Sequence, residues 1–399
     1  MKVLHILYQS LPQISGSSIR SRDILMSQKE IGINAMAITA PFQVASAKVE
    51  TIDNVKYYRT KIVEHDTISD KTKPLGERLI RLFGIISFYR HIKKIVVQEK
   101  PDVLHAHAMF FCGLPAIFLG KKYNIPVVYE IRSLWMLKKE KKSRNLFSKT
   151  IEKLLFKVEH FVIKKADGIV AINENLKNVL VGSGIEASKI KVVNNAVNTT
   201  LVRQLKKNNK FERNGLNIRF GYIGTLTPHE GIDLLIKAFI EYNGKNPASK
   251  LYIYGKGLDE KYIESLASEN ENIYFKGGID PSRVYEAFNN IDIIINPRYK
   301  NKLTDSVTPL KPLEAMAYEK LFIGSDVGGI KELVAHGFNG FLFKAGDVGE
   351  LEKTMGFLAT LNSGETSKIK ERALEYVITH KSWLKNANLD NKIYLALIR

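Results

Sequence analysis

The fold is decided by a strand, a glycine turn and a helix that follow one another in Gly221-Tyr222-Ile223-Gly224-Thr225-Leu226-Thr227-Pro228-His229-Glu230-Gly231. Further strands are predicted after this stretch at 250–254, 273–275, 291–296 and 321–325, with helical segments between them. An earlier series alternates in the same way, with predicted strands at 2–8, 34–39, 103–106, 127–130, 168–171 and 191–193. Apolar strands that alternate with helices are typical of parallel sheets. The sequence therefore predicts an α/β protein with two tandem, doubly wound, Rossmann-like domains.

The division between the two domains is predicted where the alternation restarts. The polar, basic stretch from Lys206 to Lys210 is the best linker candidate, so we place an N-terminal domain at 1–205 and a C-terminal domain at 206–380. Residues 381–399 show the spacing of an amphipathic helix, and we expect it to pack back on the N-terminal domain. Ligands of such domains bind outside the carboxyl ends of the strands. We therefore expect the functional residues in the loops after the strands, facing a cleft between the domains.

The composition is that of a globular protein, with 45% apolar and 25% charged residues. It excludes a disordered, a collagen-like and a disulfide-stapled chain. A single cysteine, Cys112, permits no intrachain disulfide and favours a reducing compartment. The apolar run at residues 2–8 is too short for a signal peptide, and no apolar stretch long enough to cross a bilayer occurs. We therefore expect a cytoplasmic protein that does not span a membrane.

The charge points to an anionic partner, because 60 Lys and Arg residues oppose 41 Asp and Glu residues, which leaves +19. A solubility feature of a Lys-rich proteome is the alternative. The segments 78–94 and 138–165 combine basic residues with apolar residues at helical spacing. Such helices suit an anionic bilayer at the inner face of the cell membrane, whereas the alternative is two core-packed helices with solvated lysines. No recognised nucleic-acid-binding pattern occurs, so nucleic acid is not expected as a partner.

The first loop that suits an anion is the segment from Gln9 to Ser18, between a strand and a helix. Gly16 permits a close approach of backbone amides to an anion, and the helix N-terminus adds a positive partial charge. Neither a P-loop nor a full dinucleotide fingerprint is present there. A solvated connecting loop is the alternative.

Polar side chains end two of the predicted strands in the N-terminal domain. His105 and His107 lie on one face of their strand, and two histidines alone do not complete a metal site. We expect His107 to be a hydrogen-bonding group in the cleft, with a core or metal role as the alternative. Glu130 and Arg132 end the next strand, where they either form a structural ion pair or face the cleft.

The most informative loop runs from Asn296 to Ala317. Pro312 suits the first position of a helix, and Arg298, Lys302 and Lys311 surround that helix start. Three cations and a helix dipole suit a diphosphate-sized anion, and Glu314 in the first turn suits two ribose hydroxyls. The alternative is that Glu314 only complements the helix dipole and the lysines are solvated. The amides of Gly224 and Thr225, after the first strand of the same domain, are also expected to face a phosphate.

In these motifs the sequence resembles retaining glycosyltransferase family 4, which has the two-domain GT-B fold. The resemblance covers nearly the whole chain and rests on the order and spacing of several short motifs. They are the Gly16 loop, residues 102–107, 166–173 and 192–198, Gly224-Thr225-Leu226 with Gly231-Ile232-Asp233, and Pro312-Leu313-Glu314-Ala315-Met316-Ala317. In detail the chain looks like a bacterial branch that is often found in surface-polysaccharide assembly.

The resemblance implies transfer of a sugar from a nucleotide diphosphate sugar with retained configuration, without a cofactor or a divalent metal. His107 matches the cleft histidine near the donor sugar, and Glu314 matches the second acid of the family's Glu-x7-Glu motif. The first acid is displaced, because Ser306 stands in its place and the nearest carboxylate is Asp305. The usual Arg and Lys of the phosphate site are also absent, with Thr225 and Glu230 near their places. The cations after Asn296 would then supply the charge, which is an inference from this sequence alone.

These arguments assign a role to each candidate residue. The chemistry is assigned to His107, Arg298, Lys311 and Asp305; donor binding to Gly16, Gly224, Thr225, Lys302, Val307, Thr308, Pro309, Leu310 and Glu314; the acceptor side to Glu130 and Arg132. A UDP-sugar is favoured as donor, a GDP-sugar comes next, and the acceptor is a glycan or a lipid-linked glycan. A sugar-nucleotide epimerase of similar fold and a non-catalytic protein that binds sugar nucleotides or polyanions are the alternatives.

Overall fold

The computed structural model describes residues 1–13, 15–43, 45–61, 75–107, 109–132, 146–198, 218–280 and 283–398. The chain forms two compact units, one made of Met1–Asn194 with Trp383–Arg399 and the other of Asn195–Ser382. The observed divisions therefore fall after Asn194 and after Ser382, whereas the sequence placed them after residues 205 and 380. The linker candidate Lys206 to Lys210 lies outside the described residues.

Strands and helices alternate through most of both units. The strands are β1 (Lys2–Leu7), β2 (Asn34–Thr39), β3 (Val49–Ile52), β4 (Val55–Arg59), β5 (Val103–His107), β6 (Val127–Ile131), β7 (Gly168–Ala171), β8 (Ile190–Val192), β9 (Arg219–Ile223), β10 (Lys250–Tyr254), β11 (Ile273–Gly277), β12 (Ile293–Asn296), β13 (Leu321–Ser325) and β14 (Phe341–Phe343). The helices are α1 (Gly16–Glu30), α2 (Leu75–Glu99), α3 (Phe110–Tyr123), α4 (Leu146–Lys165), α5 (Glu174–Gly182), α6 (Ile232–Lys245), α7 (Glu260–Ala267), α8 (Val284–Asn289), α9 (Lys302–Ser306), α10 (Lys311–Ala317), α11 (Gly328–Lys331), α12 (Val348–Thr360), α13 (Ser363–His380) and α14 (Trp383–Leu397).

The first unit contains an eight-stranded sheet in the order β3-β4-β2-β1-β5-β6-β7-β8. All neighbouring strands are parallel except β3 and β4, which form a hairpin. Successive strands are added on one side of β1 and, from β5 onward, on its other side. The loops after β1 and β5 therefore meet at the position where doubly wound sheets bind ligands. Helix α14 packs against α1 and so belongs to this unit, although it follows the second unit in sequence.

The second unit contains a six-stranded parallel sheet in the order β11-β10-β9-β12-β13-β14. This is the strand order of a Rossmann sheet, in which the winding reverses between β9 and β12. The loops after β9 and β12 carry Gly224, Glu230 and Arg298, which therefore meet at one edge of the sheet. Both units thus confirm the predicted α/β class with two Rossmann-like domains.

The interior of both sheets is mainly aliphatic, as expected for parallel strands that are covered on both faces. The first unit departs from this rule, because His5, His105, His107 and Glu130 are buried at the centre of its sheet. Buried polar groups need hydrogen-bond partners, so this cluster calls for a specific explanation. Of the helices within the described ranges, none is both long and apolar enough to cross a bilayer.

Candidate active site

In the second unit the side chain of Lys311 lies against the turn after β9, at Gly224. Gly224 has φ +156°, and a Cβ atom at this position would lie 2.1 Å from Cε of Lys311. Only glycine therefore permits Lys311 to lie across this turn. The Gly224 N–H donates to the carbonyl of Tyr254 at 2.9 Å. The expectation that this amide faces a phosphate is therefore wrong, whereas Thr225 beside it is exposed.

Lys311 and Arg298 converge on a buried carboxylate, Glu230. The Arg298 Nη2–Glu230 Oε1 distance is 2.8 Å, and the Lys311 Nζ–Glu230 Oε2 distance is 3.0 Å. Burial alone would raise the pKa of Glu230, but the two cations hold it well below its usual value. Burial lowers the pKa of Lys311, against the pull of Glu230. We call Glu230, Arg298 and Lys311 the donor-domain cluster, after the donor-binding residues that the sequence assigned to this domain; with all three groups ionised, its net charge is +1.

The cluster brings together two of the three cations that the sequence assigned to an anion. Lys302, the third, is exposed at the first residue of α9. Pro312 is the second residue of α10 rather than its first, and Lys311 begins the helix. Glu314 lies in the first turn of α10, as the sequence predicted, and is partly exposed.

The segment between α9 and α10 is held by hydrogen bonds within the unit. The carbonyl of Val307 accepts from Arg298 Nη1 at 3.3 Å, and that of Thr308 accepts from Asn195 Nδ2 at 2.6 Å. Pro309 is buried, and Leu310 precedes the first turn of α10. These contacts fix the backbone that leads to Lys311, so the segment supports the cluster whatever else it binds.

Asp305 occupies a structural position. Its Oδ1 accepts a hydrogen bond from the Gly328 N–H at 2.8 Å, at the first residue of α11. A Cβ atom at Gly328 would lie 2.5 Å from the Asp305 carbonyl oxygen, so the two backbones pack closely. Asp305 thus caps a neighbouring helix, and its assignment to the chemistry stays a prediction.

In the first unit Gly16 lies in a helix rather than in a loop. Ser15 caps α1, and its Oγ accepts from the Ser18 N–H at 3.1 Å, so the helix begins at Gly16. Gly16 is exposed, and a Cβ atom at this position would meet open space. The sequence predicted the helix start near residue 19, because Ser15 to Ser18 were assigned to the loop and the capping box of Ser15 and Ser18 was missed.

Glu130 and Arg132 form a buried ion cluster with Arg20. Glu130 Oε1 lies 2.6 Å from Arg132 Nε and 2.9 Å from Arg20 Nε. Burial would raise the pKa of Glu130, but the two guanidinium groups hold it well below its usual value. Glu130 has no exposed surface. The structure thus corrects the acceptor-side assignment of both residues in favour of the structural ion pair. We call Glu130, Arg20 and Arg132 the core cluster.

His107 contacts the core cluster and a second histidine that the sequence analysis missed. His107 Nδ1 lies 2.6 Å from Arg132 Nη2, and its Nε2 lies 2.7 Å from Nδ1 of His5. His5 faces His105 in the register of β1 and β5, so the pairing of two central strands is the signal that would have found it. Burial lowers the pKa of His107 to about 4, and the net effect of its charged neighbours does not restore it.

Three imidazoles, those of His5, His105 and His107, lie close enough to suit a metal ion, with one nitrogen of each within 4.8 Å of the others. A hydrogen-bond donor beside them, Arg132, disagrees with a metal site. Arg132 donates to Nδ1 of His107, so Nε2 of this ring carries its proton and offers no lone pair to a metal. The arrangement is that of a hydrogen-bonded cluster, and the expectation of a metal-free site stays a prediction.

Family comparisons agree with the division into two units. Residues 58–201 match the model "Glycosyltransferase Family 4", and residues 203–375 match "Glycosyl transferases group 1". An uncharacterized glycosyltransferase of Methanocaldococcus jannaschii is 27% identical over 259 residues, which cover 63% of this chain and 62% of that protein. The capsular polysaccharide biosynthesis glycosyltransferase CapM of Staphylococcus aureus is 28% identical over 209 residues, which cover 49% of this chain and 52% of that protein.

Comparison with solved structures supports the fold. HepE of Anabaena, solved in complex with UDP-glucose, superposes with a TM-score of 0.71 at 16% identity, covering 99% of this chain and 100% of that one. At this identity the likeness shows the fold alone. Since the two family models together match most of both domains, the chain belongs to the two-domain glycosyltransferases, with a Family 4 domain followed by a group 1 domain.

Proposed function

We propose that the chain is a retaining, metal-independent glycosyltransferase that moves a sugar from a nucleotide diphosphate sugar to a glycan or lipid-linked acceptor. The observation that carries the proposal is the donor-domain cluster, in which Arg298 and Lys311 converge beside Gly224 at the point where the β9–β12 winding reverses. Because two cations meet one carboxylate there, a positive charge is left over. A diphosphate supplies the missing negative charge.

The chemistry follows from the charge that develops on the leaving group. The bond between the anomeric carbon and the β-phosphate oxygen breaks, and the acceptor oxygen bonds to that carbon from the same face. The acceptor proton passes to the leaving phosphate oxygen. Lys311 and Arg298 then stabilise the negative charge on the diphosphate, without any contribution from a metal. Glu314 in the first turn of α10 is proposed to bind the ribose hydroxyls, and Lys302 and Thr225 to contact the phosphates.

The donor and the pathway are proposed from the relatives. HepE was solved with UDP-glucose, and CapM is named for capsular polysaccharide biosynthesis. We therefore propose a UDP-sugar as donor, with a GDP-sugar as the next candidate, and surface-polysaccharide assembly as the process. The relatives are named as glycosyltransferases, and nothing in the site favours an epimerase or a non-catalytic binding protein.

A peripheral contact with an anionic membrane is proposed from the surface of α4. Leu154 and Phe161 on this helix are 59% and 40% exposed, although both are large and apolar. Exposed lysines lie between and beside them, namely Lys153, Lys157, Lys164 and Lys165. Apolar side chains flanked by lysines are suited to the interface of an anionic bilayer, where a lipid-linked acceptor would be presented. The protein would then work at the inner face of the cell membrane.

The first experiment measures calorimetric binding of UDP, GDP and ADP, each with and without EDTA. We expect one diphosphate, UDP first, to bind with an affinity that EDTA does not change. In transfer assays Lys311→Met should lower the rate by about 100-fold or more, because it removes one charged donor from the developing anion. Lys300→Met, at an exposed lysine outside the cluster, is the matched control and should leave the rate unchanged.

Each failure of this experiment has a distinct meaning. Binding of none of the three diphosphates would refute the transferase proposal. A product formed from the sugar nucleotide without any acceptor would favour the epimerase instead. Loss of binding in EDTA would refute the metal-free mechanism but keep the transferase.

A further inference from the structure

A continuous run of buried polar side chains connects α14 to His107 in the first unit. Its members, in order of contact, are Arg132, His107, His5, Gln28, Tyr394, His105 and Glu130. All except Arg132 are completely or almost completely shielded from solvent. We call this run the polar relay.

The direction of each hydrogen bond in the polar relay follows from Arg132. A guanidinium has donors only, so Nδ1 of His107, 2.6 Å from Arg132 Nη2, must accept. Neutral His107 then carries its proton on Nε2 and donates to Nδ1 of His5 at 2.7 Å. His5 in turn carries its proton on Nε2 and donates to Oε1 of Gln28 at 2.8 Å.

The second half of the polar relay is equally constrained. With its oxygen facing His5, Gln28 donates through Nε2 to Tyr394 Oη at 2.9 Å and to Asp390 Oδ2 at 3.0 Å. The Tyr394 hydroxyl is left to donate to Nδ1 of His105 at 2.6 Å. His105 therefore carries its proton on Nε2, which points to Oε2 of Glu130 at 3.7 Å.

The polar relay ends at Glu130, which is itself a hydrogen-bond partner of Arg132, where the relay begins. His105 Nε2 and Glu130 Oε2 have no hydrogen-bond partner among the described residues, and each is the nearest complement of the other. The other oxygen of Glu130 accepts from Arg132 at 2.6 Å. The hydrogen bonds from Arg132 to His105 thus all run in one direction, and reversing any one of them requires reversing its neighbours, while Glu130 only accepts.

From this geometry we propose that Gln28 and Tyr394 are positioning residues for the imidazole of His107. They act through His5, which accepts from His107, and through His105, whose ring stacks on that of His107 at 4.2 Å between centroids, and they hold His107 in one orientation and one tautomer. The role in transfer rests on the proposed function, because it assumes that His107 serves the reaction. The assignment of the three tautomers does not rest on it. Lowered pKa values of His5, His105 and His107, caused mainly by burial, agree with three neutral rings.

The proposal gives α14 a role that its place in the sequence does not suggest. Tyr394 lies 289 residues after His105, at the end of a helix that follows the donor domain. Its hydroxyl is the one donor that the described residues offer to Nδ1 of His105. The last helix thus completes the polar centre of the first domain.

The direct test is a long-range ¹H–¹⁵N spectrum of the full chain labelled with ¹⁵N-histidine, which distinguishes the two neutral tautomers and the charged ring. We expect His5, His105 and His107 all in the Nε2–H form at pH 7. A single Nδ1–H or charged ring among the three would overturn the proposal. One equivalent of zinc in the purified chain would also overturn it, because the rings would then be metal ligands.

The kinetic test uses Tyr394→Phe, which removes one hydroxyl from a buried ring. We expect kcat to fall about tenfold with an unchanged KM for the donor, and the His105 resonances to leave the pure Nε2–H position. Tyr376→Phe, a matched loss of one hydroxyl on α13, should change neither. An unchanged kcat in Tyr394→Phe, with altered His105 resonances, would refute the positioning role.

The proposed function and the assignment of the three tautomers can each be refuted without the other. The spectra of the wild-type chain need neither turnover nor a folded variant. Three Nε2–H rings in a protein that transfers no sugar would refute the proposed function and leave the tautomer assignment standing.

Discussion

Each domain buries one carboxylate between two cations, and the two clusters differ in how many donors remain. In the core cluster Arg132 also donates to the Ser17 carbonyl at 2.7 Å and to Ser21 Oγ at 2.9 Å. Arg20 also donates to the carbonyls of Asn194 and Val193. In the donor-domain cluster, by contrast, the one hydrogen bond of Lys311 Nζ within the described part of the chain goes to Glu230.

The comparison shows that the same charge count serves two purposes. An ammonium group has three donors, so Lys311 retains capacity for an incoming anion. The side chain of Lys311 is 14% exposed, whereas those of Arg20 and Arg132 in the core cluster are 3% and 9% exposed. The core cluster is therefore part of the architecture, and the donor-domain cluster is suited to binding. Substitution of the carboxylate in each cluster removes the same charge and should lower the stability of the protein by different amounts.

The largest effect is expected from Glu130→Gln. It leaves Arg20 and Arg132 buried without a counter-charge, which should lower the free energy of unfolding by about 3–5 kcal/mol. Urea denaturation monitored by circular dichroism measures the change. Glu174→Gln, in an exposed pair with Lys177, is the control and should shift stability by less than about 0.5 kcal/mol. A loss below 1 kcal/mol in Glu130→Gln, on the order of a surface pair, would mean that water reaches the core cluster.

A smaller loss is expected from Glu230→Gln, about 2 kcal/mol, because Lys311 reaches solvent and the amide oxygen still accepts a hydrogen bond from one of the two cations. Millimolar pyrophosphate should restore the lost stability in this variant, since a bound anion replaces the missing carboxylate. The same addition should not rescue Glu130→Gln. Thermal melts of both variants with and without pyrophosphate make the measurement. Equal rescue of both, or of neither, would erase the distinction between the clusters.

The sequence predicted the sheets better than the clusters. Strands β10 and β13 have the predicted bounds, because apolar residues fill most of each strand in a parallel sheet. The β3–β4 hairpin was missed, since its strands are short and β3 is largely exposed; the positive φ of Asp53 and Asn54 marks its turn. Strand β14, of three residues, is too short to show a period.

The candidate residues were found where one loop contains them and missed where the fold assembles them. Arg298 and Lys311 lie in the segment that the sequence singled out, and they do meet. Glu230 was noted only for occupying the place of a family lysine, and its role as their partner depends on β9 lying beside β12. Gln28 and Tyr394 gave no local signal, because helix α1 and helix α14 meet only in the folded domain.

Asp390→Asn should give the smallest of these effects, and its sign depends on pH. Burial raises the pKa of Asp390 to about 7, and the charge of Glu130 adds to the shift. An unfolded aspartate loses its proton near about pH 4, so between these values the folded chain holds more protons than the unfolded chain. Raising the pH through this window therefore lowers stability through Asp390.

The three histidines of the polar relay act with the opposite sign, because their lowered pKa values make the folded chain hold fewer protons below about pH 6.5. Asp390→Asn leaves the histidines in place, so the difference between variant and wild type isolates the aspartate. That difference should grow in favour of the variant by about 1 kcal/mol between pH 5 and pH 6. Denaturation curves of both proteins across this range measure it. A pH-independent difference would show that water reaches Asp390, and with it the interior of the core cluster.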